Sequence, residues 1–93
     1  MIRRRSSFQV YVVRCADGTY YTGYTSNLEK RIELHNAGNG ASYLRGKGPV
    51  QLMYAKTYRY YKNALRAERN LKKLRRWQKE ELMKAFGQSL SSK

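Results

Sequence analysis

The chain has 93 residues, of which 20 are Lys or Arg and 6 are Asp or Glu, so its formal net charge is +14. This length accommodates one domain with one modest core, and a hydrophobic fraction of 41% argues against disorder throughout. No apolar stretch approaches the roughly 20 residues that cross a membrane, and no apolar segment of a secretory signal follows the basic N-terminus. A single cysteine, Cys15, excludes an internal disulfide and fits a cytoplasmic setting.

The charge is concentrated in the second half of the chain, where nine basic residues lie between Lys62 and Lys84. Such a balance predicts a polyanionic partner, with nucleic acid favoured over an acidic membrane surface. The alternative is a solvated helical face without a partner. We expect DNA, duplex or branched, as the partner and no membrane. The residues predicted to contact it are Arg45, Lys47, Arg66, Arg69, Lys72, Lys73, Arg75 and Arg76.

The first predicted unit is a β-hairpin. Phe8–Cys15 is rich in Val and Tyr and predicts a strand, Ala16-Asp17-Gly18 predicts a turn, and Thr19–Tyr24 predicts a second strand. A two-residue Asp17-Gly18 loop would put Tyr11 and Tyr21 on opposite faces of the sheet. A three-residue loop with Gly18 in the left-handed region pairs Cys15 with Thr19 and puts both tyrosines on one face. We predict the three-residue loop.

The remaining elements follow in order. Ser26-Asn27-Leu28-Glu29 predicts a capping box with Ser26 as the cap, and its helix runs to about Asn36 and ends at Gly38. The further expectations are a glycine-rich loop over 38–49, a third strand over 50–60, a helix capped by Asn63 and running to about Trp77, and a short helix over 78–86.

This order predicts an α+β fold, β-β-α-β-α-α, with a small three-stranded, mainly antiparallel sheet flanked by helices. The predicted organisation is a basic N-terminal tail over 1–7, a single domain over 8–86 and a polar C-terminal tail over 87–93.

The sequence lacks the residues that several kinds of functional site require. One Cys and one His cannot form a zinc site, and Asp17 is better explained by its turn than by a Ser-His-Asp arrangement. Ala41 stands where a P-loop needs its first glycine.

A more specific constellation combines Tyr11, Tyr21, Arg31, His35 and Glu68. Arg31 and His35 share a helix face because they are four residues apart. A phenol, a guanidinium, an imidazole and a carboxylate could together activate water, stabilise a phosphate and hold a divalent metal. Taken singly, each residue has a simpler explanation: sheet packing for the tyrosines, a solvated helix residue for Arg31, a helix-dipole contact for His35, and an i,i+4 pair with Lys72 for Glu68.

Five separated segments, in order and spacing, resemble the GIY-YIG nuclease superfamily and its small single-domain bacterial subgroup. They also resemble the nuclease domain of enzymes that resolve branched DNA. The segments are Val10-Tyr11, Tyr21-Thr22-Gly23-Tyr24-Thr25, Asn27 to Asn36, Gly46 to Val50 and Ala64 to Glu68.

The resemblance implies a role for each residue of the constellation. Tyr11 and Tyr21 match the two signature tyrosines, one of which is the family's general base. Arg31 matches the phosphate-stabilising arginine, and His35 matches a histidine that assists the hydroxyl network in some branches. Glu68 matches the carboxylate that binds Mg²⁺ or Mn²⁺.

The sequence departs from the family pattern at three positions. Gln9 replaces the first signature glycine, Thr22 replaces isoleucine, and Tyr24 stands where some members have a lysine that depresses the tyrosine pKa. Without that lysine, activation would depend on Arg31, His35 or a metal-bound water.

The expected function is a metal-dependent DNA endonuclease, structure-dependent or weakly specific, acting in DNA repair or processing. A protein partner could supply specificity. The alternatives are a catalytically weak nucleic-acid-binding module with the same fold and a structural, ribosome-associated protein.

Overall fold

A computed structural model of the chain describes residues 7–37 and 48–91. Three strands and three helices follow in the predicted order: β1 (Phe8–Arg14), β2 (Tyr20–Thr25), α1 (Leu28–Asn36), β3 (Gln51–Tyr58), α2 (Tyr61–Lys73) and α3 (Arg76–Ser91). The predicted α+β architecture is confirmed. Within the described residues, no helix has both the length and the apolar character needed to span a membrane.

The strands form one antiparallel sheet in the order β2-β1-β3, so β1 is central. The hairpin between β1 and β2 has the predicted three-residue loop, with Gly18 at φ +88° and the Cys15 amide donating to the Thr19 carbonyl at 2.8 Å. Asp17 stabilises this loop, because its Oδ1 accepts from the Thr19 amide and hydroxyl. The resulting register pairs Tyr11 with Gly23 and Val13 with Tyr21, so the two tyrosines share a face.

The register between β1 and β3 shifts at one point. Val12 lies opposite Tyr54, but Val13 lies opposite Leu52, so Met53 is an extra residue, as in a β-bulge. Both Met53 and Tyr54 consequently pack against the same core, on the side of the sheet that α2 and α3 cover.

The two faces of the sheet bury different groups. One face, which we call the apolar face, packs Val10 and Val12 against Ala64 and Leu71 of α2 and Met83 of α3. The opposite face, which we call the tyrosine face, packs Tyr11, Val13 and Cys15 with Tyr21 and with Leu28 and Ile32 of α1. Cys15 is a free cysteine and is buried in this face.

The helix boundaries correct several predictions. The cap of α1 is Asn27 and not Ser26, because Asn27 Oδ1 accepts from the Lys30 amide at 3.1 Å. Helix α2 begins at Tyr61, before the predicted cap Asn63, and Tyr60 starts it without a side-chain hydrogen bond.

The break between the last two helices also differs from the prediction. Helix α2 ends at Lys73 and not near Trp77, since Leu74 is extended. The Arg75 amide then donates to Gln78 Oε1 at 2.9 Å, which satisfies a free donor ahead of α3. Helix α3 therefore begins before the predicted position 78, and it continues past Phe86 to Ser91. The predicted stop at Gly38 lies outside the described residues, as do positions 38–47 of the predicted loop.

Candidate active site

A buried hydrogen bond between Tyr11 and His35 lies at the centre of the tyrosine face. Tyr11 Oη and His35 Nε2 are 3.0 Å apart, and the two side chains are 0% and 1% exposed. Strand β1 supplies the phenol and the last turn of α1 supplies the imidazole. In the described part of the chain, the other ring nitrogen of His35, Nδ1, is buried and has no hydrogen-bond partner. The hydrogen bond to Tyr11 therefore orients the imidazole ring through its Nε2 atom.

Tyr21 completes a group of three rings. Its ring centroid lies 6.4 Å from that of Tyr11 and 5.8 Å from that of His35, and it is only partly buried. Gly23 makes this arrangement possible, since a Cβ there would lie 2.8 Å from Tyr11 Oη and 3.0 Å from Tyr21 Cε2. The glycine of the second signature motif therefore provides space for both phenols.

The N-terminus of α1 is tied to the sheet by side chains, which sets the direction of Arg31 and His35. The Leu28 amide donates to Gln9 Oε1 at 3.2 Å, and the Asn27 amide donates to Thr25 Oγ1 at 3.1 Å. Gln9, which departs from the family's glycine, thus satisfies one of the free amides of the first helical turn. At the other end of α1, the Val50 amide donates to Asn36 Oδ1 at 2.7 Å.

Burial and charge determine the protonation of the site. Burial raises the pKa of Tyr11 to about 12, with Tyr21 adding to the rise and the neighbouring Arg31 guanidinium opposing it. Burial also lowers the pKa of His35, and the charge of Arg31 lowers it further. At neutral pH the site therefore contains a protonated Tyr11 and an uncharged His35 beside a permanent cation.

Glu68 approaches this group from α2. Its charge is among the causes that raise the pKa of Tyr11, and it acts similarly on Tyr24, whose pKa is raised first by the hydrogen bond to Tyr61. The side chain is 12% exposed, and Oε2 lies 3.1 Å from Lys72 Nζ, as the simple i,i+4 explanation requires. Glu68 is thus both a member of the constellation and half of an ion pair.

The donor set fits a weakly held hard cation. Among the described residues, no three His, Cys, Asp or Glu side chains gather as a metal cluster. One carboxylate suits Mg²⁺ or Mn²⁺, which keep several waters and take further oxygens from substrate phosphates. Glu68 is the residue that would hold such an ion.

The predicted DNA-binding residues have different surroundings. Arg45 and Lys47 lie outside the described residues. Arg66 and Arg69 line a groove on α2 with Tyr61 and Lys62. Lys73 and Arg75 are exposed near the α2–α3 break. Lys72 pairs with Glu68 as described above.

Arg76 is largely occupied within the molecule. Its guanidinium bonds Glu80 at 2.9 Å, donates to the Gly18 carbonyl at 3.3 Å and lies 4.7 Å from the Tyr20 ring centroid. These contacts fasten the start of α3 to the β1–β2 loop, a role that the sequence pattern does not indicate.

Two further features were not predicted. The hydroxyls of Tyr24 and Tyr61 lie 3.1 Å apart, next to the charge of Glu68. Lys79, on α3, lines a cleft with Tyr21 and Lys72. Only the excess of basic residues over 62–84 pointed towards Lys79, because this contact joins separate elements.

Comparisons with known proteins agree on the family. The family model described as the GIY-YIG catalytic domain matches residues 7–81. A UPF0213 protein of Halobacterium salinarum is 49% identical over 73 residues, covering 78% of this chain and 95% of that protein. A UPF0213 protein of Bacillus cereus is 52% identical over 73 residues, covering 78% and 76%.

Solved structures show the same relationship. The solution NMR structure of a UPF0213 protein from Bacillus halodurans matches with a TM-score of 0.56 and 39% identity, over 85% of this chain and 84% of that one. The NMR structure of a protein from E. faecalis matches with a TM-score of 0.61 and 38% identity, over 92% of each chain. With this fold, these relatives and a domain match over most of its length, the chain belongs to the GIY-YIG family of nucleases.

Proposed function

We propose that the protein is a metal-dependent endonuclease that hydrolyses DNA phosphodiester bonds, in repair or processing, and selects its substrate by structure or only weakly by sequence. The observation that carries the proposal is the buried Tyr11–His35 hydrogen bond beside a partly exposed Tyr21, with Arg31 and Glu68 acting on the same phenol. Residues that served only to pack the core would not need to bring two phenols, an imidazole, a guanidinium and a carboxylate together.

The difference in burial between the two tyrosines supports different tasks for them. Tyr11 is fully buried and its pKa is near 12, so it keeps its proton at neutral pH and cannot remove one from water. Tyr21 is only partly buried, so a substrate could reach its phenol from the tyrosine face. We therefore assign Tyr21 as the general base, and we assign Tyr11 and His35 the task of positioning it.

The remaining groups deal with the charge of the phosphate. The Arg31 guanidinium is always protonated and can stabilise the negative charge that develops as water attacks the phosphorus. Glu68 would hold Mg²⁺ or Mn²⁺, and such an ion lowers the pKa of a bound water and neutralises phosphate charge. In this proposal the Tyr21 phenol first loses its proton to solvent, and the phenolate then takes a proton from the attacking water. The bond between phosphorus and the leaving oxygen breaks, and the leaving oxygen takes a proton from solvent.

The surface of this domain is the proposed source of specificity. Arg66, Arg69, Lys73 and Arg75 lie within the matched domain, and contacts from such side chains to the DNA backbone carry no sequence information. This favours recognition of DNA shape over an extended sequence, with a protein partner as a further source of specificity.

A second function is supported by one observation. The ion pair of Glu68 with Lys72 opposes metal binding, and therefore catalysis, in the free protein. This observation favours a nucleic-acid-binding module with weak turnover as the alternative.

A cleavage assay on labelled duplex, nicked, flap and branched DNA, with Mg²⁺ or Mn²⁺, separates the two functions. We expect cleavage of at least one branched or flapped substrate, abolished by chelation of the metal. Salt-sensitive binding to all four DNAs without cleavage of any would instead support the binding module.

A further inference from the structure

An open cleft lies next to the candidate active site, where α2 and α3 approach β2. Its volume is about 320 Å³, and it is lined by Tyr20, Tyr21, Thr22, Lys72 and Lys79. Because β2 is an edge strand, the cleft lies at the margin of the sheet. Tyr21 lines the cleft from β2, while its ring lies on the tyrosine face with Tyr11 and His35.

The charges of this cleft favour an anion. Lys72 and Lys79 contribute an ammonium group each, and Lys79 forms no ion pair within the described ranges. The nearest acid along α3, Glu80, is bound to Arg76. A backbone phosphate of DNA therefore has two cations available at the edge formed by β2.

Lys72 lies between the Glu68 carboxylate and the cleft. Its Nζ lies 3.1 Å from Glu68 Oε2, while its side chain is 55% exposed and also lines the cleft. An exposed i,i+4 ion pair contributes little stability, so the ammonium can leave the carboxylate at low cost.

We infer that Lys72 exchanges between Glu68 in the free protein and a DNA backbone phosphate in the cleft at the β2 edge, where Lys79 holds the same strand. The exchange rests on the proposed role of Glu68 as the metal-holding carboxylate. When Lys72 turns to the phosphate, Glu68 becomes available to a divalent ion. DNA and metal should then bind cooperatively, each increasing the affinity for the other by the same factor.

DNA binding without metal tests the cleft. The probe is a fluorescein-labelled flap duplex in the presence of EDTA, titrated at several salt concentrations. We expect Lys72→Met and Lys79→Met to weaken binding and each to lower the slope of log affinity against log salt by about one. Lys56→Met is the matched control, because it removes the same charge from β3, the opposite edge strand. Equal slopes for all three variants and the wild type would overturn the cleft as a phosphate site.

Mn²⁺ binding to the free protein tests the exchange. Paramagnetic broadening of amide signals around residue 68 reports the ion independently of any cleavage. We expect Lys72→Met to bind Mn²⁺ about two- to fivefold more tightly than the wild type, since the competing ammonium is gone. Adding Glu68→Gln to Lys72→Met should remove the broadening.

The outcomes distinguish the two proposals. If Glu68→Gln removes the broadening but Lys72→Met binds Mn²⁺ no better than the wild type, the exchange is overturned and the metal role of Glu68 remains. If the double variant still shows the wild-type broadening, Glu68 holds no ion, and the exchange and the metal role are overturned together.

Discussion

The two faces of the sheet show how a small domain separates stability from chemistry. The apolar face buries Val10 and Val12 under α2 and α3, and Met83 of α3 packs against them. The tyrosine face buries a phenol and an imidazole under the much shorter α1. Apolar burial stabilises in proportion to area, whereas a buried hydrogen bond adds little net free energy and costs more when it is broken. Variants on the apolar face should therefore change mainly stability, and variants on the tyrosine face should change activity.

The largest expected effect is that of Tyr21→Phe on cleavage. Loss of a general base should reduce the single-turnover rate by about 10²- to 10⁴-fold, while the melting temperature changes little because only a hydroxyl is removed. The control is Tyr11→Phe, which leaves His35 Nε2 unpartnered and should cost about 1–2 kcal/mol of unfolding free energy. Normal cleavage by Tyr21→Phe with loss of cleavage by folded Tyr11→Phe would reverse the assignment of the base.

The apolar face is tested by Met83→Ala. Met83 is 5% exposed and packs in the core that α3 shares with the sheet. Its truncation should lower the unfolding free energy by about 3 kcal/mol, measured by urea titration. The folded fraction should cleave DNA at the wild-type rate. A stability unchanged by this substitution would contradict the role of this face as the main source of stability.

Gly23→Ala tests the packing of the tyrosine face, because it places one methyl group among the three rings. The new Cβ would lie 2.8 Å from Tyr11 Oη, so the phenols must shift, at a cost of about 1–3 kcal/mol. Gly87→Ala, in α3, is the matched substitution: nothing lies within 4 Å of its Cβ, and alanine should stabilise the helix by about 0.5–1 kcal/mol. Thermal unfolding of both variants should give changes of opposite sign.

The smallest expected effect is the pH dependence of stability due to His35. Burial lowers its pKa in the folded state below the ordinary value of 6.5, so below that pH the unfolded chain binds more protons. This stability contribution is complete above pH 6.5 and is progressively lost as the pH falls below it. His35→Gln should show a flatter dependence below this pH in urea unfolding. An equal slope in both proteins would show that His35 does not titrate differently on folding.

The hairpin and the shared face of its tyrosines can be predicted from the sequence. Both depend on local rules, because the Ala16-Asp17-Gly18 loop sets the register and strand side chains alternate. The order of the elements follows similarly from strand composition and glycine positions.

Other features could not be predicted from the sequence, because they depend on competition between neighbouring residues or on contacts between residues that are distant in sequence. Ser26 and Asn27 are both good caps, and the hydroxyl of Thr25 and the amide of Gln9 decide in favour of Asn27. The β-bulge at Met53 cannot be predicted from the sequence, because one extra residue changes the alternation of inward and outward side chains in β3 too little. The contact between Arg76 and Gly18 joins positions 58 residues apart, so sequence spacing does not indicate it.

The central claim, that the tyrosine face and Glu68 form a metal-dependent nuclease site, is tested most directly by Glu68→Gln. Single-turnover cleavage of the preferred DNA should be abolished, while the melting temperature stays near that of the wild type. DNA affinity should be unchanged or slightly higher, because a negative charge near the phosphate is removed and Lys72 is released. Cleavage by Glu68→Gln at the wild-type rate would contradict the account.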